Sequence, residues 1–560
     1  MHVVTTAGHA GHGKSALVRA LTGGDPGEPG HAWTELPSGR RLAFVDVPGH
    51  ERSVPAVLAG AGPVPVVLLA VAADEGWRPR SEEHLAALDA LGARHGVLAV
   101  TRSDVADPRL ALRQARERLA GTGLRGVEAV AVSAATGAGM DELAAALDRL
   151  AARLPIPDPA APVRLWIDRA ETAGGLAVVT GTLGAGTIRA GDELLAMPAG
   201  EPARVEAVES AGEPRQAVEG VSRVTLTVRA SGTVTALVSP GRWAHTTCVD
   251  VRTRFGEASG RLARQMTLHI GAAAVAVRLR PLGPDTARLT LNTRLPLHVG
   301  DTALLRDPAR GSVAGISVLD VRPPPLVRQG AAAARARELA SWPDRPDGAV
   351  ILRRHGVLRR SELDLMGCAP PADAVEPDDG WLADPAHWEA LRARLAAEAA
   401  AHAAAAPDAP AVPLETVRLR LGLPSRRLAA ALVGPPLRVE GGRVHGAVPA
   451  LPPALEAAVE RLRADLARAP FDAPPPERLA ELGLTGGALA AAERAGAVLR
   501  LGDGVVLLPG ADREALRLLS ALPQPFTPRQ AADALPASRR VAVALLRHLD
   551  RLGLTARRTS

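Results

Sequence analysis

The sequence predicts a multidomain protein: an α/β P-loop domain, two β-barrel domains and a C-terminal array of tandem winged-helix domains. Three observations carry that prediction. A short apolar strand, Val3 to Ala7, runs into a glycine-rich loop and a helical pattern. From Pro162 the pattern changes to short alternating strands with glycine turns, and after Pro323-Pro324-Pro325 it changes again to helix-turn-helix punctuation. A chain of 560 residues is too long for a single core, and a hydrophobic content of 47% supplies apolar material for several.

Of the 66 basic residues only one, Lys14, is lysine. Arginine replaces lysine wherever a diffuse cation suffices, so the surviving lysine marks a place where a compact point charge is required. It closes the loop Gly8-His9-Ala10-Gly11-His12-Gly13-Lys14-Ser15, followed by the helical Ala16-Leu17-Val18. This is GxxxxGK[ST] between a strand and a helix. Backbone amides wrap phosphates, Lys14 reaches the β and γ oxygens, and Ser15 ligates Mg²⁺. The candidate phosphate-binding residues are therefore Gly8, His9, Gly11, His12, Gly13, Lys14, Ser15 and Ala16.

The remaining strands each end in a candidate ligand loop. Arg41 to Val45 leads to Asp46-Val47-Pro48-Gly49-His50, a DxxG pattern in which Asp46 holds the magnesium shell through water and the Gly49 amide senses the γ-phosphate. Val66 to Val71 leads to Ala72-Ala73-Asp74-Glu75-Gly76, and Val97 to Val100 to Thr101-Arg102-Ser103-Asp104. The Asp104 carboxylate can accept both N–H groups on the Watson-Crick edge of guanine. Glu128 to Val132 delivers Ser133 and Ala134, and Gly139 opens a closing helix. Alternating strands and helices with ligand loops at the strand ends predict a parallel nucleotide-binding sheet over residues 1–155.

These segments resemble the G domain of the translational GTPases. The order of Thr6 to Leu17, Asp46 to Arg52, Ala72 to Gly76, Trp77 to Arg80, Glu83 to Leu88 and Ser133 to Leu143 is most similar to the selenocysteine-specific elongation factor family. The resemblance implies GTP and Mg²⁺ as cofactors and makes His50 the residue that orients the attacking water. The chain departs from the family pattern in its shortened first switch, Thr22 to Thr34, which offers no counterpart of the switch threonine. Thr34 reads instead as the start of a strand before Pro37-Ser38-Gly39. Gly11 stands where the family usually has Asp and Arg102 where it usually has Lys, while Ser53 and Ala56 replace a usual Phe and Asn. The arginine is accommodated if its stem packs under the base.

Alternating segments such as Val163 to Asp168, Ala177 to Leu183 and Gly191 to Leu195 predict one small barrel over 162–243. A second series, including Met266 to Gly271 and Leu297 to Asp301, predicts another over 244–325. They resemble domains II and III of the family, which implies contacts with tRNA and the ribosome. The implied substrate is selenocysteinyl-tRNA, delivered to the ribosome at recoded UGA codons. Its selenol is far more acidic than a serine hydroxyl, so a cationic pocket would separate the two by charge. The resemblance offers Asp168, Arg169 and Arg229 for that aminoacyl pocket.

In residues 327–560, Leu423 to Leu428 and Leu535 to Val541 are the same device twice: a turn, a serine cap and an arginine-led helix. Arg438 to Val444 and Val498 to Leu507 read as glycine-turn hairpins. Together these predict four winged helices, near 332–370, 385–447, 452–509 and 510–560, with Ala393 to Ala406 a helix or linker. The last 40 residues hold seven Arg against two Asp. Arg426, Arg427, Arg539, Arg540 and Arg547 are the candidate RNA contacts, with Arg557 and Arg558 beyond them. The resemblance makes their ligand the selenocysteine insertion hairpin of mRNA.

The apolar run Val64 to Ala73 is about half the roughly 20 residues that span a bilayer, and no leader pattern precedes the first strand. A cytoplasmic monomer without membrane contact is expected. Two cysteines, Cys248 and Cys368, are too few for a disulfide framework or a structural zinc site. Two other functional readings stay open: a degenerate relative that binds guanine nucleotide without productive hydrolysis, and a winged-helix nucleic-acid-binding regulator.

Overall fold

The computed structural model describes residues 2–24, 32–45, 66–173, 176–230, 232–254, 263–309, 312–405, 411–446, 451–467, 469–522, 528–552 and 554. The chain divides into two compact units, Met1–Trp388 and Glu389–Ser560.

The first unit begins with strand β1 (His2–Ala7), helix α1 (Lys14–Thr22), β2 (Trp33–Glu35), β3 (Arg41–Val45), β4 (Val66–Ala72), α2 (Pro79–Ala90), β5 (His95–Thr101), α3 (Arg109–Leu119), β6 (Glu128–Ala131) and α4 (Met140–Arg153). They form a six-stranded sheet in the order β2-β3-β1-β4-β5-β6. Only β2 runs antiparallel, to β3. Helices cover both faces of such a sheet, which is why β4 can be the unbroken apolar run Val66 to Ala72, buried throughout. Leu17, Phe44, Leu143 and Leu147 pack on one face. Leu85, Leu88, Ala115 and Leu119 pack on the other. Thr34 lies inside β2, as its place before the Pro37-Ser38-Gly39 turn predicts.

Two barrels follow. The first is a ring of Glu193–Met197, Ala236–Val238, Arg164–Ala173, Leu176–Leu183, Ser222–Arg229 and Glu201–Ser210, which closes by pairing Glu201–Ser210 back to Glu193–Met197. The second is a closed barrel in the order Ala244–Arg254, Thr286–Leu297, Ala273–Pro281, Gln265–Ile270, Thr302–Arg306, Val313–Asp320. Alternation places Val224, Leu226 and Val228 inside the first and Val275, Val277 and Leu279 inside the second. Arg164 joins the barrels by a bidentate pair with Asp301, at 2.6 and 2.8 Å, and lies over the Trp243 ring, itself stacked on His298 at 3.6 Å. The second barrel also touches α2. A Cβ at Gly315 would stand 2.4 Å from the Ala90 carbonyl oxygen, so only glycine permits that approach.

Residues 331–383 form the first winged element: helices Ala331–Ala340, Gly348–His355 and Arg360–Leu365 with a three-stranded sheet of Val357–Arg359, Trp381–Ala383 and Val375–Asp378. It is not a separate bead. Leu339, Ile351, Leu352, Leu363 and Met366 belong to one core with the second barrel. Beside that core, Arg335 meets Asp250 at 2.8 Å and Asp320 at 2.5 Å, and Arg288 meets Asp250 at 2.7 Å. Both Asp residues and Arg335 are at most 2% exposed. Two carboxylates and two guanidiniums balance, which is the condition under which buried charge is tolerated.

The second unit takes up helix Pro385–Ala405 from Glu389 onward and continues with Val412–Pro413, Leu414–Leu421, Arg426–Ala431 and the hairpin Arg438–Glu440 with Arg443–His445, the order of a winged helix. The Ser425 hydroxyl accepts from the Leu428 amide at 3.3 Å, as the serine-cap reading requires. Helices Pro453–Ala467, Pro476–Glu481 and Gly486–Arg494 lead to the short hairpin Leu499–Arg500 and Val506–Leu507. Helices Ala511–Ser520, Pro528–Ala534 and Arg539–Arg551 complete it. Leu462, Leu484, Val506, Leu519, Leu545 and Leu549 share one core, so these last two modules fold together. Among the described residues no helix is long and apolar enough to cross a membrane.

Candidate nucleotide-binding site

The glycine-rich loop stands at the carboxyl end of β1, between β3 and β4, where strand ends and helix starts converge. Gly8 has φ +130°, and a Cβ there would lie 2.2 Å from the Ala70 carbonyl oxygen, so the loop can leave β1 only through glycine. Its amide donates to Nδ1 of His84 on α2 at 3.0 Å. His12 is fully buried with Nδ1 3.3 Å from the Ala70 carbonyl. Burial pushes both imidazoles down to about 4, with the Lys14 charge adding to the effect, so both are neutral near neutral pH. Gly13, left-handed at φ 74°, caps α1. The Lys14 side chain turns back along the loop and donates to the carbonyls of Gly8 at 3.0 Å and His9 at 2.7 Å. The loop thus encircles its own ammonium, the arrangement a phosphate-binding lysine needs. Ser15 and Ala16 stand exposed at the start of α1.

Asp46, Gly49 and His50 lie outside the described residues. The last described residue before them, Val45, pairs with Thr5 on β1.

At the end of β5, the Thr101 hydroxyl donates to the His12 carbonyl at 2.9 Å and ties the Thr101 to Asp104 segment to the glycine-rich loop. The Ser103 amide donates to the Val132 carbonyl at 3.2 Å, which brings the third loop alongside. Asp104 is exposed. Ser133 is buried and accepts from the Thr136 amide at 3.2 Å, while Ala134 is exposed. The segments carrying Lys14, Asp104 and Ser133 therefore converge on one edge of the sheet. The Arg102 guanidinium is turned onto Asp74 and Glu75 just beyond β4 and onto the Gly11 carbonyl, from a backbone left-handed at φ 56°. Sequence reasoning missed this partnership, since Asp74 and Glu75 carry no motif role of their own.

On the first barrel each of the three aminoacyl candidates has its own charged partner. Asp168, at a bulge in its strand, is held by Arg223 from two strands away, Nη2 to Oδ1 at 2.7 Å. Arg169 pairs with Glu171 at 3.1 Å and Arg229 with Glu206 at 3.1 Å. Arg223 is the addition the sequence did not suggest, being 55 residues from its partner.

In the second unit Arg426 and Arg427 are exposed at the start of their helix, and Arg539 and Arg540 at the start of Arg539–Arg551. Ser538 caps that last helix through the Val541 amide at 3.4 Å. Arg547 lies on the same helix and pairs with Asp503 of the preceding module at 3.0 Å. Arg557 and Arg558 lie outside the described residues. No group of three His, Cys, Asp or Glu that could hold a metal ion occurs among the described residues.

Comparison with known proteins adds the following. Residues 30–153 match the Elongation factor Tu GTP binding domain, and residues 517–559 match the Elongation factor SelB winged helix. The selenocysteine-specific elongation factor of Desulfomicrobium baculatum is 36% identical over 241 residues, 40% of this chain and 38% of that protein. The one from Escherichia coli K12 is 32% identical over 350 residues, 58% of this chain and 56% of that protein. The matched regions thus span 38% and 56% of the length of these two relatives. A crystal structure of a bacterial selenocysteine-specific elongation factor, EF-Sec, superposes with a TM-score of 0.68 at 21% identity, covering 100% of this chain and 99% of that one. At that identity the likeness speaks for the fold.

Proposed function

We propose that this chain is a translational GTPase of the SelB type and carries selenocysteinyl-tRNA to the ribosome in a GTP-dependent manner while its C-terminal helices hold an mRNA hairpin. The observation that carries the reading is the union in one chain of a lysine-bearing phosphate loop with a SelB-type winged helix that exposes Arg539 and Arg540. An ordinary aminoacyl-tRNA carrier would need no such C-terminal third.

In this reading the Gly8 to Ala16 loop wraps the β and γ phosphates and Lys14 exchanges its loop carbonyls for phosphate oxygens. Asp104, exposed at the end of β5, takes the two N–H groups of guanine, with Thr101, Ser133 and Ala134 shaping the pocket. The exposed Ser15 hydroxyl at the start of α1 fits a Mg²⁺ ligand, with Asp46 acting through water and Gly49 sensing the γ-phosphate. When bound, the ion would neutralise phosphate charge. His50 would orient the attacking water.

The selenol is carried as an anion. Exposed ion pairs such as Arg169 with Glu171 and Arg229 with Glu206 are worth about 0–1 kcal/mol, so a selenolate can compete for either arginine. Asp168 held by Arg223 would orient the neighbouring strand. At the other end, Arg426, Arg427, Arg539 and Arg540 contact RNA phosphates, with loop shape giving selectivity. Arg547, exposed and paired with Asp503 through Nη1 alone, adds its remaining donors to that surface.

The test is protection of the aminoacyl ester from deacylation. GTP should slow deacylation of selenocysteinyl-tRNA at least about tenfold more than that of seryl-tRNA, the size expected for recognising a charge instead of a neutral hydroxyl in a partly exposed site. Equal protection of the two, or protection independent of nucleotide, would overturn the substrate assignment.

A further inference from the structure

We propose that Asp74 and Glu75 are positioning residues for guanine recognition, latching Arg102 so that it ties the phosphate loop, the end of β4 and the base-reading loop into one rigid cradle. The inference rests on the nucleotide site described above and adds two residues to it.

Arg102 is one of three non-glycine residues among those described with a positive φ, at 56°. A left-handed arginine is uncommon and persists where its surroundings hold it. Here they do. Nη1 lies 2.8 and 3.2 Å from the two Asp74 carboxylate oxygens and 3.1 Å from Glu75 Oε1, while Nη2 donates to the Gly11 carbonyl. One planar fork therefore reaches both sides at once: the two carboxylates at the end of β4 and the backbone of the phosphate loop. Lysine could not, because a single ammonium on a flexible stem has no second, rigidly offset nitrogen.

The consequence falls on Asp104, two residues downstream. Arg102 fixes the start of the turn that carries it. The Thr101 hydroxyl to His12 and the Ser103 amide to Val132 pin the residues on either side. With Arg102 released, those two bonds keep the strand end in place, but the turn loses its cross-link to β4. Glu75 has a further partner in the same spot: it faces Arg78 at 3.5 Å, so its charge is shared between Arg102 and the turn into α2, while the neutral His12 imidazole lies 3.8 Å away. Among the described residues Asp74 pairs with Arg102 alone, which makes it the cleaner of the two probes. Gly11 and Arg102, two positions where this chain departs from the family pattern, are thus in direct contact. The carbonyl of the first receives the extra nitrogen of the second.

The test measures release of fluorescent GDP from the full-length protein, together with the ratio of affinities for GDP and inosine diphosphate, which lacks the 2-amino group that Asp104 would accept. Asp74→Asn combined with Glu75→Gln should speed GDP release about tenfold, the size expected for a charge-assisted contact discounted for partial exposure. It should also lower the GDP-to-inosine-diphosphate ratio. Arg102→Lys should do the same, and all three substitutions together should do no more than either set, because they remove one shared bridge. The melting temperature of the nucleotide-free protein should hold, a readout that separates positioning from general support. An unchanged release rate and ratio in the carboxylate variant, or effects that add in the combined variant, would overturn the latch while leaving the nucleotide site intact. A wild-type protein that binds no GDP would overturn the site reading and the latch with it.

Discussion

Lys14→Ala is expected to weaken GTP binding by at least about a hundredfold, equivalent to about 2.7 kcal/mol. Lys14 is 6% exposed and held by two loop carbonyls, so its ammonium is already desolvated and aimed into the loop before any phosphate arrives. A charge positioned in that way loses little on binding and gains charge-assisted bonds to phosphate oxygens. Lys14→Arg is the more informative partner. In a chain that uses arginine at every other basic position, it keeps the charge and removes only the compact shape. Affinity should fall about tenfold, because a planar fork does not fit where two carbonyls hold a single nitrogen. Equilibrium titration with a fluorescent GTP analogue checks both. Unchanged affinity in Lys14→Arg would show that the sole lysine has no special role.

Arg335→Ala should destabilise the first unit by about 3–5 kcal/mol. Removing the guanidinium leaves Asp320, 1% exposed, without its ion pair and Asp250 with Arg288 alone. The cost is that of a buried unpaired carboxylate, not of one lost contact. The same substitution removes the cation lying 4.9 Å from the Trp342 ring centroid, so tryptophan emission during urea unfolding reports the event locally. Arg335→Met combined with Asp320→Asn should recover most of the loss, since it restores charge balance without restoring the ion pair. A shift in midpoint corresponding to less than about 1 kcal/mol for Arg335→Ala would contradict the buried-network account.

Much of this was legible in the sequence for identifiable reasons. The phosphate loop could be read because a buried parallel strand, a glycine turn and a helix start leave little choice of context around GxxxxGK[ST]. The barrels could be read from period-two alternation, as in Ser222–Arg229, whose buried and partly exposed positions alternate along the strand. The serine caps at 425 and 538 were legible because capping is local chemistry.

What could not be read is what depends on distant partners. Arg223 and Asp168 are neighbours only because the strand Leu176–Leu183 lies between theirs. Arg335 sits in Ala-Ala-Ala-Ala-Arg-Ala-Arg-Glu-Leu-Ala, which by itself reads as a solvated helix. Its burial follows from the facing strands that carry Asp250 and Asp320. That burial joins 331–383 to the second barrel, whereas the punctuation of the sequence groups it with the helical modules that follow. Arg102 escaped for a related reason: its carboxylate partners lie 28 and 27 residues away and carry no motif, so nothing local pairs them with it.

The most direct measurement of the central claim is single-turnover hydrolysis of GTP by the full-length protein with and without ribosomes, alongside equilibrium binding of GTP and GDP. A working carrier should bind GTP and hydrolyse it on the order of a thousandfold faster when programmed ribosomes are present. Tight binding with no ribosome-stimulated hydrolysis would contradict the account, and would mean a nucleotide pocket retained without the switch that the short segment between Thr22 and Thr34 must supply.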